Sequence, residues 1–163
     1  MNQSFLTVPE KNLVGIRVRT NNRLEVNPET GKILNTLQQY FEQKLFESIQ
    51  HRLKPGTTFC CYTDYESDHT GDYTYFVGEE VGSFDNQPTN LDRLIIPAQS
   101  YSLFTTNPAP MPDVIRNAWF SIWKMNDSDF GGKRKYHTDF EIYDERAANP
   151  QKAIVDIYIG IEK

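Results

Sequence analysis

The sequence predicts an α+β domain, an antiparallel sheet carrying two long helices on one face and built as a tandem pseudo-twofold repeat of strand, helix, strand, strand. Three observations predict it. Two segments with helical apolar spacing, Ile33–Ile49 and Pro112–Met125, each follow one strand-like stretch and precede two more. Short echoes recur in the same order: Val8-Pro9 with Ile96-Pro97, 88 residues on; Cys61-Tyr62-Thr63-Asp64 with Ile142-Tyr143-Asp144, near 81; and Phe76-Val77-Gly78 with Tyr158-Ile159-Gly160, 82 on. Finally, 163 residues make one domain. Halves of about 1–85 and 86–163 are each too small to cover a sheet alone, so they are expected to share one. The face away from the helices is expected to curve around a central ligand groove.

In chain order, Phe5 to Thr20 reads as a strand with a kink at Pro9, a residue that suits a bend or an edge. Asn21 to Gly31 is polar and reads as a loop with a turn at Asn27-Pro28. In the first helix Ile33, Leu34, Leu37, Tyr40, Phe41, Leu45 and Ile49 share a stripe, with Thr30 as candidate cap. Thr57–Asp64 and Asp72–Gly78 read as a hairpin with an acidic turn, and Gly82–Asn90 as the connector between halves. Leu91–Thr105 is the next strand, with Pro97 inside it. The second helix has proline in its first turn and Val114, Ile115, Ala118, Trp119 and Ile122 on one stripe. Gly131-Gly132 leads into a strand over Tyr136–Asp144, and Ala153–Ile161 is the last strand.

The Tyr136–Asp144 strand alternates. Thr138, Phe140 and Ile142 share one face; Asp139, Glu141 and Tyr143 share the other. If the Phe140 face packs on the helices, Glu141 stands in the groove on the opposite face, beside an aromatic ring. A single carboxylate in an aromatic-lined pocket suits a greasy cation, or serves as an acid of raised pKa. The competing reading is a solvated glutamate on the open side of a half-buried strand.

Composition narrows the function classes. Aromatic residues make up 13%, with ten Phe, nine Tyr and two Trp, so many polar-tipped rings are available for contact. Net charge is −5, and the longest basic run is Lys133-Arg134-Lys135, which argues against direct nucleic-acid binding. No apolar stretch reaches membrane-span length, and Met1-Asn2-Gln3-Ser4 does not open a signal peptide. Cys60 and Cys61 are adjacent and point to opposite strand faces, so free thiols in the cytoplasm are expected. No cofactor or metal motif stands out.

Ile96-Pro97-Ala98 with Tyr101, Asp139-Phe140-Glu141-Ile142-Tyr143, and Asp156-Ile157-Tyr158-Ile159-Gly160, set in this order within a repeat, resemble the GyrI-like small-molecule-binding domain. That domain is the effector-binding part of some AraC- and MerR-type multidrug-responsive regulators. The resemblance spans about Phe5 to Ile161 and implies the tandem fold with its groove. It implies that Glu141 contacts ligands, often lipophilic cations, and that aromatic residues of both halves form the walls. With no room for a helix-turn-helix beside the fold, the chain is similar to the stand-alone members. Their roles imply three readings: a binding protein for amphipathic, cationic small molecules; a hydrolase of strained electrophiles in the same pocket; or an interaction protein acting on DNA gyrase or a transcription regulator.

The candidate ligand-binding residues are Glu141, Tyr143, Trp123, Tyr62, Tyr73, Phe76 and Tyr101. Trp119 and Trp123 lie four apart on one helix side; the pair reads as core, with a pocket role for one of them, Trp123 at the groove rim, as the alternative. Alternation must divide Tyr62, Tyr73, Tyr75 and Phe76 between the faces, in a way the sequence leaves open. His137 and Asp139 share a face, but no Gly-x-Ser-x-Gly elbow accompanies them, so surface decoration is expected. The Asp64–Asp68 run departs from a calcium loop, with glycine eighth and Tyr75 twelfth. Asp129-Phe130-Gly131 has no phosphate loop or catalytic loop to go with it.

Overall fold

A computed structural model describes residues 1–162. The strands are β1 (Asn2–Val8), β2 (Lys11–Asn21), β3 (Thr58–Thr63), β4 (Asp72–Val81), β5 (Asp92–Ile96), β6 (Gln99–Thr105), β7 (Lys133–Arg134), β8 (Thr138–Tyr143) and β9 (Asp156–Glu162). The helices are α1 (Asn22–Glu25), α2 (Ile33–Glu42), α3 (Asp113–Trp123) and α4 (Asp127–Phe130). All strands join one antiparallel sheet in the order β1-β6-β9-β8-β3-β4-β2-β5, with β7 added on β9. The α+β class and the antiparallel sheet are as expected.

Each proline inside an expected strand divides it. β1 ends before Pro9 and pairs with β6; β2 begins beyond it and pairs with β4 and β5. β5 likewise ends before Pro97, and β6 starts two residues after it. A proline offers no N–H to a ladder, so the chain turns there and crosses to the other half of the sheet. The outer strands are therefore exchanged: β1 closes the edge of the second half and β5 that of the first.

The pairing places Ile16, Val77, Cys60, Glu141, Ile157 and Phe104 in one continuous row across six strands, hence on one face. Both long helices lie on that face. Tyr40 of α2 packs with Val14, Ile16, Cys60, Tyr75 and Val77. Val114, Ala118 and Ile122 of α3 pack with Phe104, Ile157, Ile159 and Ile161. The other face has no helix, yet Leu13, Phe76, Cys61, Phe140 and Tyr101 are fully buried there. Their cluster also takes in Val8 from one edge strand and Leu94 and Ile96 from the other. The sheet is rolled around this face, which becomes a second core. Gly15 and Gly78, paired directly opposite each other on this side, permit the close approach of β2 and β4; a β-carbon on Gly15 would stand 1.9 Å from the Val77 carbonyl oxygen.

The first helix is shorter than its apolar stripe. It ends at Glu42, Lys44 takes a left-handed conformation with φ 50°, and a 3₁₀ turn covers Leu45–Ser48. Its N-terminus is not capped by Thr30, whose hydroxyl donates to the Leu24 carbonyl instead. Glu25 supplies the anion: its carboxylate accepts from the backbone N–H of Lys32 at 2.8 Å and of Ile33 at 3.2 Å. Part of the expected loop is thus α1, which sets Glu25 at the start of α2. The second helix runs Asp113–Trp123, and the following residues form α4 under an Asn126–Asp129 capping box.

Candidate functional site

Glu141 projects from β8 on the helix side of the sheet, beneath α3, at the seam where β8 pairs with β3. It is 2% exposed. Three neutral groups donate to its carboxylate: the Tyr62 hydroxyl from β3 at 2.7 Å, the Tyr143 hydroxyl from β8 at 2.7 Å, and the Trp119 indole N–H from α3 at 2.6 Å. Among the described residues no lysine, arginine or histidine forms an ion pair with it. Burial raises its pKa above the ordinary carboxylate value, and the three donors oppose that rise. The carboxylate is hydrogen-bonded but carries no counter-charge.

The rings around it form a connected aromatic group. Tyr62 lies 5.2 Å from Trp119, 5.5 Å from Tyr75 and 5.7 Å from Tyr73, centroid to centroid, all edge-on. Burial pushes the phenols of Tyr62, Tyr75 and Tyr143 well up, so they remain protonated donors. A cleft of about 560 Å³ opens beside this group. Leu37 and Phe41 of α2 form one wall, Met111 and Ala147 another, and Thr58, Cys60 and Tyr143 the floor. Tyr143 lines the cleft and also donates to Glu141, so its phenol links the open space to the buried carboxylate.

Of the expected site residues, Glu141, Tyr143, Tyr62 and Tyr73 come together on this face. Phe76 and Tyr101 do not: both are fully buried in the opposite core, where Tyr101 packs edge-on against Phe140 at 5.2 Å. Strand parity explains Phe76, because Tyr73 and Tyr75 take the helix side and Phe76 the other. Trp123 lies on the outer surface of α3, 41% exposed, 6.5 Å from Trp119. Trp119, read from sequence as core, is the tryptophan that reaches Glu141. Its place one residue past the buried Ala118 puts it at the border of the helix stripe, where a side chain can turn toward the seam.

The expectation that Glu141 faces away from the helices is corrected by the pairing. It is the Phe140 side that lies away from the helices, and the rolled sheet buries that side without them. Asp139 is corrected as well. Rather than decorating the surface it is fully buried, accepting from Arg134 at 2.7 Å, from the Tyr65 hydroxyl at 2.7 Å and from the Gly160 N–H at 2.8 Å. His137 is exposed and contacts Thr138 rather than Asp139. Cys60 and Cys61 are buried free thiols, held protonated because burial raises their pKa. Among the described residues no group of three or more His, Cys, Asp or Glu could hold a metal ion, and no helix is long and apolar enough to cross a membrane.

An antiparallel nine-stranded sheet with its long helices on one face is the architecture of GyrI-like effector-binding domains. The profile of the integron-associated effector binding protein family matches residues 5–161, and the chain belongs to that family. It is 31% identical over 153 residues to YobU of Bacillus subtilis (strain 168), a protein named for transcriptional regulation; the match covers 94% of this chain and 93% of YobU. Its fold is similar to that of an integron cassette protein from the mobile metagenome of Vibrio cholerae, with TM-score 0.75 and 25% identity over 98% of this chain and 95% of the other. It is also similar in fold to SAV2435, solved bound to tetraphenylphosphonium, with TM-score 0.76 and 15% identity over 99% of this chain and 94% of that one. The family binds effectors and is associated with transcription regulators.

Proposed function

We propose that this protein binds amphipathic cations in the cleft between α2 and the Met111 and Ala147 wall, with Glu141 behind Tyr143 as the counter-charge and Tyr143, Tyr62 and Trp119 as the aromatic contacts once the ligand has entered. The observation that carries this reading is a fully buried carboxylate held by three neutral donors and, among the described residues, by no cation. Burying an unpaired carboxylate is costly, and a ligand cation offsets part of that cost. Aromatic faces add apolar contact and cation–π attraction. Entry requires Tyr143 to turn away from Glu141, so the Tyr143–Glu141 hydrogen bond acts as a closed latch on the site.

Tetraphenylphosphonium, the ligand of the structurally similar SAV2435, is the natural first probe. The similarity to YobU supports a role in the cytoplasm as a sensor whose ligand state is passed to a transcription regulator. A thermal-shift series with tetraphenylphosphonium tests the reading. Ligand binding to the folded state raises the melting temperature with concentration, by about 2.7 kcal/mol of stability at a hundredfold excess over Kd. No shift at any soluble concentration of this or other aromatic cations would contradict it.

A further inference from the structure

A second buried carboxylate stands on the same face as Glu141. Glu79 of β4 is 2% exposed. The register sets it one step beyond the Phe59–Gly78 pair, beside Thr58, which in turn pairs with Tyr143. Glu79 and Tyr143 therefore lie in one row on either side of β3, about 10 Å apart by two strand spacings. One oxygen of Glu79 accepts from Arg52 at 3.3 Å and from the Gly56 N–H at 3.4 Å. The other oxygen, Oε1, is buried and has no hydrogen-bond partner among the described residues. The same is true of the Tyr40 hydroxyl on α2, which is 0% exposed. Tyr40 follows Leu37 by one helical turn and packs in the cluster that holds Cys60. Leu37, Gly56, Thr58 and Cys60 all line the cleft.

Neither Glu79 nor Tyr40 lines the cleft itself; Glu79 stands directly behind Gly56 and Thr58, and Tyr40 behind Leu37 and Cys60. Unpartnered buried polar atoms are rare and costly, and two directly behind one cleft wall offer a pairing to a ligand end that reaches past it. We infer that Glu79 and Tyr40 form a second subsite of the cleft, which takes a neutral donor–acceptor group, a hydroxyl, at the far end of an amphipathic cation. This rests on the cleft being the cation site proposed above. Charge decides the group. Glu141 has no cation beside it, whereas Glu79 already has Arg52. A second ammonium at Glu79 would compete with a guanidinium; a hydroxyl can donate to Oε1 and accept from Tyr40 without displacing it.

The test uses two series of triphenylphosphonium salts of graded chain length, one methyl-terminated and one hydroxyl-terminated, titrated by calorimetry into the full chain and into Tyr40→Phe. At the best chain length the hydroxyl-terminated probe should bind wild type about five- to tenfold tighter than its methyl-terminated match, the size of one or more neutral hydrogen bonds. Tyr40→Phe should erase most of that advantage while leaving the methyl-terminated probe unchanged. It should also leave the free protein as stable or more so, because the lost hydroxyl has no partner. Equal affinity of the two series at every length, or equal weakening of both by Tyr40→Phe, overturns the subsite and leaves the cation site standing. If methyl-terminated probes and tetraphenylphosphonium all fail to bind, the cation site falls first and the subsite with it.

Discussion

Trp119 on α3 donates its indole N–H to Glu141 on β8 at 2.6 Å, tying the second helix to the seam between the two halves of the sheet. The contact joins packing to chemistry, because the ring that covers the carboxylate also supplies one of its three hydrogen bonds. Trp119→Phe keeps most of the ring and removes the donor. A hydrogen bond to a charged group contributes about 1.5–3 kcal/mol, so urea unfolding should show a loss of that order. Trp123→Phe, on the exposed side of the same helix, should change stability by no more than about 0.5 kcal/mol. Equal losses for the two would mean that Trp119 serves only as bulk.

Because burial raises the Glu141 pKa above 4.5, the folded protein holds this proton more tightly than the unfolded chain does. The sign follows from linkage. Glu141's contribution to stability is fully present below the unfolded pKa and is lost as pH rises through the folded value. Glu141→Gln removes that loss. The stability of the variant relative to wild type should therefore increase as pH rises from 4.5 through the folded pKa, then level off. Urea midpoints measured across this range check it. A relative change in the opposite direction would mean that the three donors outweigh burial.

The buried pair Arg134–Asp139 should be far less tolerant than any surface ion pair. Its side chains are 7% and 0% exposed, and Asp139 also holds the Gly160 N–H and the Tyr65 hydroxyl. Asp139→Asn keeps the shape but leaves Arg134 buried without its partner, which should cost about 3–5 kcal/mol. Lys11→Ala, which breaks the pair with Glu80 whose side chains are 19% and 20% exposed, should cost distinctly less. Chemical denaturation of both variants gives the comparison.

The fold class was legible in the sequence because the helical stripes of α2 and α3 and the alternation of β4, β8 and β9 are local signals. Pro9 and Pro97 were visible as interruptions; that each marks a crossing between halves depends on partners far away in sequence. Glu141 and Tyr143 could be placed on one face together, but which face carried the helices could not be read, since both sides of this rolled sheet are buried and apolar. For the same reason Phe76 and Tyr101 looked as available as Tyr62. Glu25 as the anion at the start of α2 and Trp119 as a donor to Glu141 are side-chain contacts between separate elements, and no spacing rule reaches across them.

The central claim is that Glu141 gives the cleft its preference for cations. Tetraphenylphosphonium and tetraphenylborate have nearly the same shape and opposite charge, so calorimetry with both ions on wild type and Glu141→Gln isolates the carboxylate. Wild type should bind the cation and discriminate strongly against the anion. The substitution should weaken the cation by about 1.5–3 kcal/mol, roughly ten- to a hundredfold, and narrow the gap between the two ions by a similar amount. Unchanged discrimination in Glu141→Gln would contradict the account, leaving Glu141 a structural residue and the selection to shape.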